Sequence, residues 1–274
     1  MDRLMPPGRH RAVVSIIGAA LIHLCGPGHL GAESRDAVLA HDTQSLEVLR
    51  GRSTGTGRGV VVLASGDAGW RGLTKDLGAK LAGLGYDVVG LDSKSYLTAG
   101  TRRAGSLTTE AVQEDYLRLV RIARQWFPDR PIVLAGVSEG AGLSILAAAD
   151  RRVAAEVLGV VGLGTPDTVT LAWHFWNWTV WVTHKEPDEP SVATASYLAA
   201  LSPTPVLLIH STHDEYVPVE TARDLFAHAR EPRRLTVLEA RNHSFSDARE
   251  LLFASVLEGL RWFTESRATA EMRP

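Results

Sequence analysis

The chain has 274 residues, 45% of them hydrophobic and 22% charged, which is enough apolar material for one large domain with a full core. Its formal net charge is −2, so no basic excess points to a nucleic-acid partner. Cys25 is its only cysteine, which excludes a disulfide framework and a cysteine-based metal site. The sequence has no recognisable metal-ligand cluster or phosphate-binding loop, so we expect no cofactor.

Residues 1–32 have the pattern of a secretory signal peptide. Three arginines precede an apolar run from Ala12 to Cys25, and a Gly-Pro-Gly breaker and then the small residue Ala32 follow it. The run is too short for a comfortable membrane span. Cys25 raises the alternative of a lipid anchor, but the three residues before it fit that pattern poorly. We expect export, with cleavage after Ala32 leaving residues 33–274 as a single domain.

The rest of the chain alternates strand-like apolar runs with segments of helical spacing. This alternation favours the α/β class, with a mostly parallel central sheet and helices on both faces. The predicted strands are Ser45–Leu49, Val60–Ala64, Asp87–Leu91, Pro131–Val137, Val157–Leu163, Val206–His210 and Leu235–Leu238. The predicted helices are Leu73–Leu84, a helix from Thr108 or Thr109 to Phe127, the residues after Ser138, Val219–Ala229 and Asp247–Thr264, with a polar loop over residues 92–107.

The fourth predicted strand runs into a Gly-x-Ser-x-Gly motif, from Gly136 to Gly140, and then into residues of good helix propensity. A strand, a sharp turn and a helix with a serine at the turn form the nucleophile elbow of α/β-hydrolases. The two glycines leave room for a tightly bent backbone. We therefore take Ser138 as the candidate nucleophile, with an ordinary strand-to-helix turn as the alternative.

Two partners for this serine follow later strands, whose carboxyl ends meet at the same edge of the sheet. Asp214 follows the penultimate strand and His243 the last one, so the chain order is Ser, Asp, His, as in α/β-hydrolases. His243 would take the proton of Ser138, and Asp214 would orient the imidazole. Asp167, which follows the preceding strand, is an alternative acid.

An oxyanion hole needs two backbone N–H groups. We expect one from Glu139, directly after Ser138, and the other from the glycine-containing loop Ser65–Trp70 after the first buried strand. Asp67 is the best single candidate in that loop, and Ala68 is the next.

The segment Ser65-Gly66-Asp67-Ala68-Gly69-Trp70, with Gly90-Leu91-Asp92-Ser93 after the next strand, resembles the bacterial virulence protein family of VirJ and AcvB. Members of that family carry a Ser-Gly-Asp-Gly-Gly-Trp loop, a Gly-Val-Asp-Ser segment and an elbow of the Gly-Tyr-Ser-Phe-Gly-Ala kind. The resemblance covers about residues 58–263 and is strongest in the first half. Ala68, Val137 and Glu139 depart from the family pattern.

This resemblance implies an α/β-hydrolase fold and a periplasmic location, which agrees with the predicted signal peptide. AcvB-type members are associated with hydrolysis of aminoacylated phosphatidylglycerol, notably the lysyl form. We therefore expect an exported serine hydrolase that cleaves such a lipid ester, with Asp67, Glu139 and Asp92 attracting the lysyl ammonium group. The alternatives are a generic esterase or lipase and a non-catalytic periplasmic virulence or secretion factor with this fold.

Residues 171–181 interrupt the alternation with five aromatic residues, four of them tryptophan. This aromatic insertion is either a buried element or a cap beside the active-site mouth that holds an acyl chain or touches lipid headgroups, where tryptophan is favoured. Trp173 and Trp176 from the insertion, together with Trp70, are the expected substrate contacts. A lipid substrate would also imply peripheral contact with a membrane.

Overall fold

The computed structural model of the protein describes residues 32–39, 42–52, 57–174 and 189–271, and only the backbone of residues 268–271. Residues 1–31 of the predicted signal peptide, including Cys25, and Trp176 of the aromatic insertion lie outside the described residues. None of the described helices is both long and apolar enough to cross a membrane.

The described residues form an α/β fold around a twisted sheet. The strands are β1 (Ala32–Leu39), β2 (Asp42–Leu49), β3 (Gly59–Ala64), β4 (Tyr86–Leu91), β5 (Ile132–Val137), β6 (Val160–Leu163), β7 (Thr168–Thr170), β8 (Ser191–Ala193), β9 (Val206–Ser211) and β10 (Arg233–Leu238). The helices are α1 (Gly72–Gly83), α2 (Ser93–Ala104), α3 (Thr109–Trp126), α4 (Glu139–Ala148), α5 (Arg151–Ala154), α6 (Ala195–Leu198), α7 (Val219–His228) and α8 (Arg249–Glu271).

The central sheet contains eight of the described strands in the order β1-β2-β4-β3-β5-β6-β9-β10. The pairs β1-β2 and β2-β4 are antiparallel, and all the other pairs are parallel. The predicted fold class, a mostly parallel sheet, is therefore confirmed. This arrangement brings the carboxyl ends of β3, β5, β6, β9 and β10 to one edge.

Helices cover both faces of the sheet, because its central strands are apolar on both sides. In β3, Val60 and Val62 belong to one apolar core, and Val61 and Leu63 belong to the other, as the alternation of side chains along a strand requires. The first core is completed by residues of α2, α3, α4 and α7, such as Leu97, Leu119, Leu146 and Leu225. The second is completed by residues of α1 and α8, such as Leu77 and Leu260.

The prediction of a polar loop over residues 92–107 is wrong, because Ser93–Ala104 form α2. Asp92 caps this helix by accepting a 2.9 Å hydrogen bond at Oδ1 from the backbone N–H of Ser95. Tyr96 and Leu97 are buried on its inner side. The helix has few apolar residues besides these, which is why its polar surface suggested a loop.

The segment before β3 and the insertion after β6 also differ from the prediction. Residues 32–39 and 42–49 pair as the antiparallel strands β1 and β2, of which only Ser45–Leu49 was predicted as a strand. The aromatic insertion lies between the two strands of an antiparallel pair, β7 and β8, in which Thr168 is opposite Ala193. Residues 175–188 between these strands are not described.

Candidate active site

Ser138 lies at the turn between β5 and α4, with φ 51° and ψ −121°. A positive φ is strained for a residue with a side chain, and such strain is typical of functional sites. The two glycines of the motif allow this turn. A Cβ atom on Gly136 would overlap the carbonyl of Gly140, and a Cβ atom on Gly140 would overlap the carbonyl of Ser65. The backbone thus forms the sharp strand-to-helix turn that the motif indicates.

Asp214 and His243 are joined by a hydrogen bond of 2.6 Å between Asp214 Oδ2 and His243 Nδ1. The Asp214 side chain has no exposed surface, and that of His243 is 15% exposed. The other oxygen of the carboxylate, Oδ1, accepts from the backbone N–H groups of Tyr216 and Val217 at 3.0 and 2.8 Å. Asp167, the alternative acid, is exposed at the start of β7.

The end of β6 connects the histidine to the serine. The backbone N–H of Ser138 donates to the carbonyl of Leu163 at 2.8 Å. The next residue, Gly164, faces the imidazole so closely that a Cβ atom there would lie 2.6 Å from Cε1 of His243. Ser138 and His243 therefore both lie at the end of β6.

The contact between Asp214 and His243 shifts the pKa of both side chains. Burial alone would raise the pKa of Asp214, but the hydrogen bond and charge of His243, with the N–H groups of the turn, hold it below its usual value. Burial alone would lower the pKa of His243, but the hydrogen bond and charge of Asp214, followed by the charges of Glu215 and Asp67, raise it. The arrangement therefore favours the imidazolium form of His243.

A family model described as bacterial virulence protein (VirJ) matches residues 59–262. The chain belongs to this VirJ family. Among curated proteins, it is 36% identical to the uncharacterized protein YfhR of Escherichia coli K12 over 61 residues. That match spans only 22% of the relative's length, and a YfhR protein of Escherichia coli O157:H7 matches to the same extent.

Three solved structures illustrate the fold of this VirJ-family chain. Est1E from Butyrivibrio proteoclasticus has a TM-score of 0.61 and 16% identity, over 87% of this chain and 99% of that one. A dienelactone hydrolase from Anabaena variabilis has a TM-score of 0.61 and 16% identity, over 86% and 99%. XC6422 from Xanthomonas campestris, an α/β serine hydrolase without a lid, has a TM-score of 0.58 and 20% identity, over 85% and 94%. At these identities the likeness shows the α/β-hydrolase fold alone.

The VirJ-type loop Ser65–Trp70 lies against the nucleophile elbow. A Cβ atom on Gly66 would lie 3.3 Å from Cβ of Ser138, so the loop carries the N–H of Asp67 to the neighbourhood of the serine. Glu139 begins α4, and its backbone N–H is one of the unpaired donors that every helix N-terminus presents. These are the two predicted oxyanion donors.

Asp92 of the Gly-Leu-Asp-Ser segment holds this loop in place. Its Oδ2 accepts a 2.9 Å hydrogen bond from the backbone N–H of Trp70, while Oδ1 caps α2 at Ser95. A Cβ atom on Gly69 would lie 2.8 Å from Asp92 Oδ2. Both oxygens of the Asp92 carboxylate therefore accept hydrogen bonds from the backbone. These bonds give the side chain a structural role that does not need the expected contact to a substrate ammonium group.

The carboxyl of the half-buried Glu139 meets the end of β7, where Oε1 accepts a 2.6 Å hydrogen bond from the backbone N–H of Thr170. Burial raises the pKa of Glu139 to about 8, and the charge of Asp67 adds to the rise against the hydrogen bond from Thr170. The side chain is thus largely neutral at pH 7. This differs from the expectation that its negative charge attracts a cationic substrate group.

Two of the three predicted tryptophan contacts occupy packing positions. The Trp70 ring lies against α1 and β4, where a Cβ atom on Gly90 would overlap it. Trp173 is 7% exposed within the first apolar core, and its backbone N–H donates to Thr101 Oγ1 at 2.7 Å. The ammonium of Lys94 lies 5.4 Å from the centre of the Trp173 ring. These contacts give the Trp70 and Trp173 rings a packing role in the fold.

Sequence reasoning missed two neighbours of the imidazole. Glu215 Oε2 accepts a 2.7 Å hydrogen bond from the backbone N–H of His243. The Tyr216 ring, 39% exposed, meets the imidazole edge to face with centres 5.6 Å apart. Their position directly after Asp214 was the available signal. Among the described residues, no group of three or more His, Cys, Asp or Glu side chains is arranged to hold a metal ion.

Proposed function

We propose that this VirJ-family chain is a serine hydrolase that cleaves carboxylic esters through Ser138, His243 and Asp214. The observation that carries the proposal is the 2.6 Å hydrogen bond from His243 to a fully buried Asp214, at the strand end beside the strained Ser138 turn. Esterase and serine-hydrolase names among proteins of similar fold agree with it.

In this mechanism, Ser138 Oγ attacks the ester carbonyl while His243 Nε2 takes the hydroxyl proton. Asp214 holds the imidazole through Nδ1 and stabilises its cationic form. The backbone N–H groups of Glu139 and Asp67 bind the oxyanion of the tetrahedral intermediate. Its collapse leaves an acyl group on Ser138 and releases the alcohol with the proton from His243. A water molecule, deprotonated by His243, then attacks the acyl carbonyl. The bond to Ser138 Oγ breaks, His243 returns the proton to that oxygen, and the acid leaves.

The test compares the wild type with Ser138→Ala on p-nitrophenyl acetate and with a fluorophosphonate probe. We expect the variant to lose ester hydrolysis and labelling together. Ser95→Ala, an exposed serine at the start of α2, is the matched control and should behave as the wild type. Equal hydrolysis by the wild type and Ser138→Ala would reject the proposal and favour a non-catalytic virulence or secretion role.

For the substrate, we propose an aminoacyl-phospholipid of the lysyl-phosphatidylglycerol type. Support comes from the resemblance to AcvB-type proteins and from the charge of Asp67, which acts on His243 and Tyr216 beside the serine. The test is release of free amino acid from lysyl- and alanyl-phosphatidylglycerol in vesicles. We expect Asp67→Asn to impair release of lysine more than of alanine. Activity on simple esters without release of either amino acid would leave a generic esterase or lipase.

We also propose that residues 1–32 export the protein to the periplasm, where such lipids are accessible from the membrane surface. The basis is the order of arginines, apolar run and small residue in the sequence. Fractionation of cells and N-terminal sequencing of the mature protein test it. Glu33 as the first residue of a periplasmic product is the expected result, and an intact cytoplasmic protein would contradict it.

A further inference from the structure

His210 is a buried imidazole next to the proposed triad that the chemistry above does not use. It lies near the end of β9, opposite Val237 of β10, and is 1% exposed. A buried polar side chain needs a hydrogen-bond partner. Nε2 of His210 lies 2.8 Å from the carbonyl oxygen of Val217. Because a carbonyl only accepts, Nε2 carries the proton and donates it.

The same nitrogen of His210 faces the triad acid. It lies 3.6 Å from Oδ2 of Asp214, the oxygen that binds His243. The other oxygen, Oδ1, accepts from the N–H groups of Tyr216 and Val217. The turn from Asp214 to Val217 is therefore closed by the carboxylate and fastened to β9 by His210. These two contacts together leave the carboxylate little freedom to rotate.

The charge state of His210 suits this position. Burial lowers the pKa of His210 below its usual value, and the hydrogen bond to Val217 and the charge of Asp214 offset this only in part. The charge of His243 lowers it further, and Asp214 and His243 are the titratable groups that act on it. When His210 is neutral, the negative charge of Asp214 remains available to stabilise the cationic form of His243. A second cation at 3.6 Å would compete for that charge.

We propose that His210 is a positioning residue of the triad: by holding the carbonyl of Val217, it fixes the Asp214 carboxylate toward His243. The proposal rests on the serine-hydrolase function proposed above. It differs from a general packing role, because it requires a hydrogen-bond donor at one atom position and acts only through Asp214.

The experiment compares His210→Phe, which keeps a ring without the donor, with His210→Gln, which offers an amide donor near the place of Nε2. His210→Met, with a flexible side chain that fills irregular space, is a second variant without the donor in case the phenylalanine variant does not fold. Circular dichroism and thermal unfolding establish which variants are folded. The readouts are kcat, KM and the pH dependence of kcat/KM on p-nitrophenyl acetate.

In the variants without the donor, we expect kcat to fall about 10- to 100-fold, because a misplaced acid misorients the base, while KM stays within about twofold. The pKa of the acid limb should also fall, because the imidazolium of His243 loses part of its stabilisation. His210→Gln should recover most of kcat. A folded His210→Phe or His210→Met with wild-type kcat and acid limb would overturn the proposal.

A double-mutant cycle with Asp214→Asn tests whether His210 acts through the acid. We expect His210→Phe, or His210→Met in its place, to cause no further loss of kcat in the Asp214→Asn background, whereas additive losses would reject the proposal. Failure of the serine-hydrolase function is distinguishable, since Ser138→Ala would then match the wild type. An active wild type, an inactive Ser138→Ala and an unaffected His210 variant would reject only the role of His210.

Discussion

The backbone N–H of Thr170 donates a 2.6 Å hydrogen bond to Oε1 of Glu139, the residue directly after the proposed nucleophile. Glu139 begins α4 and Thr170 ends β7, so this bond joins the nucleophile helix to the base of the aromatic insertion. Val169 packs beside it, since a Cβ atom on Gly142 would lie 2.8 Å from Val169 Cγ2. A polar and an apolar contact thus hold β7 against the first turns of α4.

The raised pKa of Glu139, about 8, leads to a pH prediction. Below pH 8 the carboxyl is mostly neutral, and above it a negative charge forms beside the N–H that would bind the oxyanion. We expect kcat on p-nitrophenyl acetate to decline above about pH 8 in the wild type, because that charge repels the developing oxyanion. Glu139→Gln cannot ionise and should lack this decline. The measurement is kcat from pH 6 to 10.

Glu110→Gln is the matched control for this pH profile. Glu110 also lies in the first turn of a helix, α3, but it is exposed. The control should keep the alkaline decline of the wild type. A decline of the same size in Glu139→Gln would show that another group causes it.

The closeness of Gly164 to His243 leads to a second prediction. In Gly164→Ala the new methyl group would lie 2.6 Å from Cε1 of the imidazole and would displace it from Asp214 and Ser138. We expect kcat to fall about 100-fold, since small misplacements of a catalytic group have effects of this size. Gly164 has φ 56°, so the variant also carries backbone strain.

The variant Gly105→Ala distinguishes the effect of the steric clash with His243 from the effect of backbone strain at a positive φ. Gly105 has φ 78° at the end of α2, and a Cβ atom there would meet nothing within 4 Å. Its alanine variant should lose stability of about 1 kcal/mol, as left-handed non-glycine residues do, with unchanged kcat. An equal loss of kcat in both variants would contradict the proposed position of the imidazole.

The sharp turn at Ser138 was predictable because its geometric constraints are local. Two glycines must flank Ser138 for the turn to close, and a buried strand and a helix must adjoin it, all within a short stretch of sequence. The closeness of Asp214 and His243 was also predictable. Each follows a short apolar run that predicts a strand, and the carboxyl ends of parallel strands lie at one edge of the sheet.

The role of the Glu139 side chain was not predictable, because it depends on a distant part of the chain. Its partner Thr170 lies 31 residues away. Neither spacing nor charge reveals that the backbone N–H of Thr170, in β7, meets the carboxyl of the first residue of α4. His210 was hidden for the same reason, since its contact to Val217 depends on the path of a turn. Asp92 is a different case, because its contact to Ser95 is local. An aspartate at the start of a helix is a capping signal, and here it was overlooked.

The packing of Trp70 leads to a third prediction. Its ring fills the space left by Gly78 and Gly90, so Trp70→Leu should lower the free energy of unfolding by about 1–3 kcal/mol through loss of buried contacts. Gly90→Ala should destabilise to a similar degree, by overpacking the same place. Both folded variants should keep the wild-type KM for p-nitrophenyl acetate. A KM that rises strongly in Trp70→Leu but not in Gly90→Ala would support the predicted substrate contact.

The charge of Asp67 leads to the last prediction. Among several causes, this charge raises the pKa of His243, which must be neutral to act as base, and the pKa of Glu139, which must be neutral to spare the oxyanion. Asp67→Asn should therefore move both limbs of the kcat/KM profile to lower pH, more so at low ionic strength. Asp36→Asn, exposed on the edge strand β1, should move neither. A shift of only the acid limb would mean that Asp67 acts on His243 without reaching Glu139.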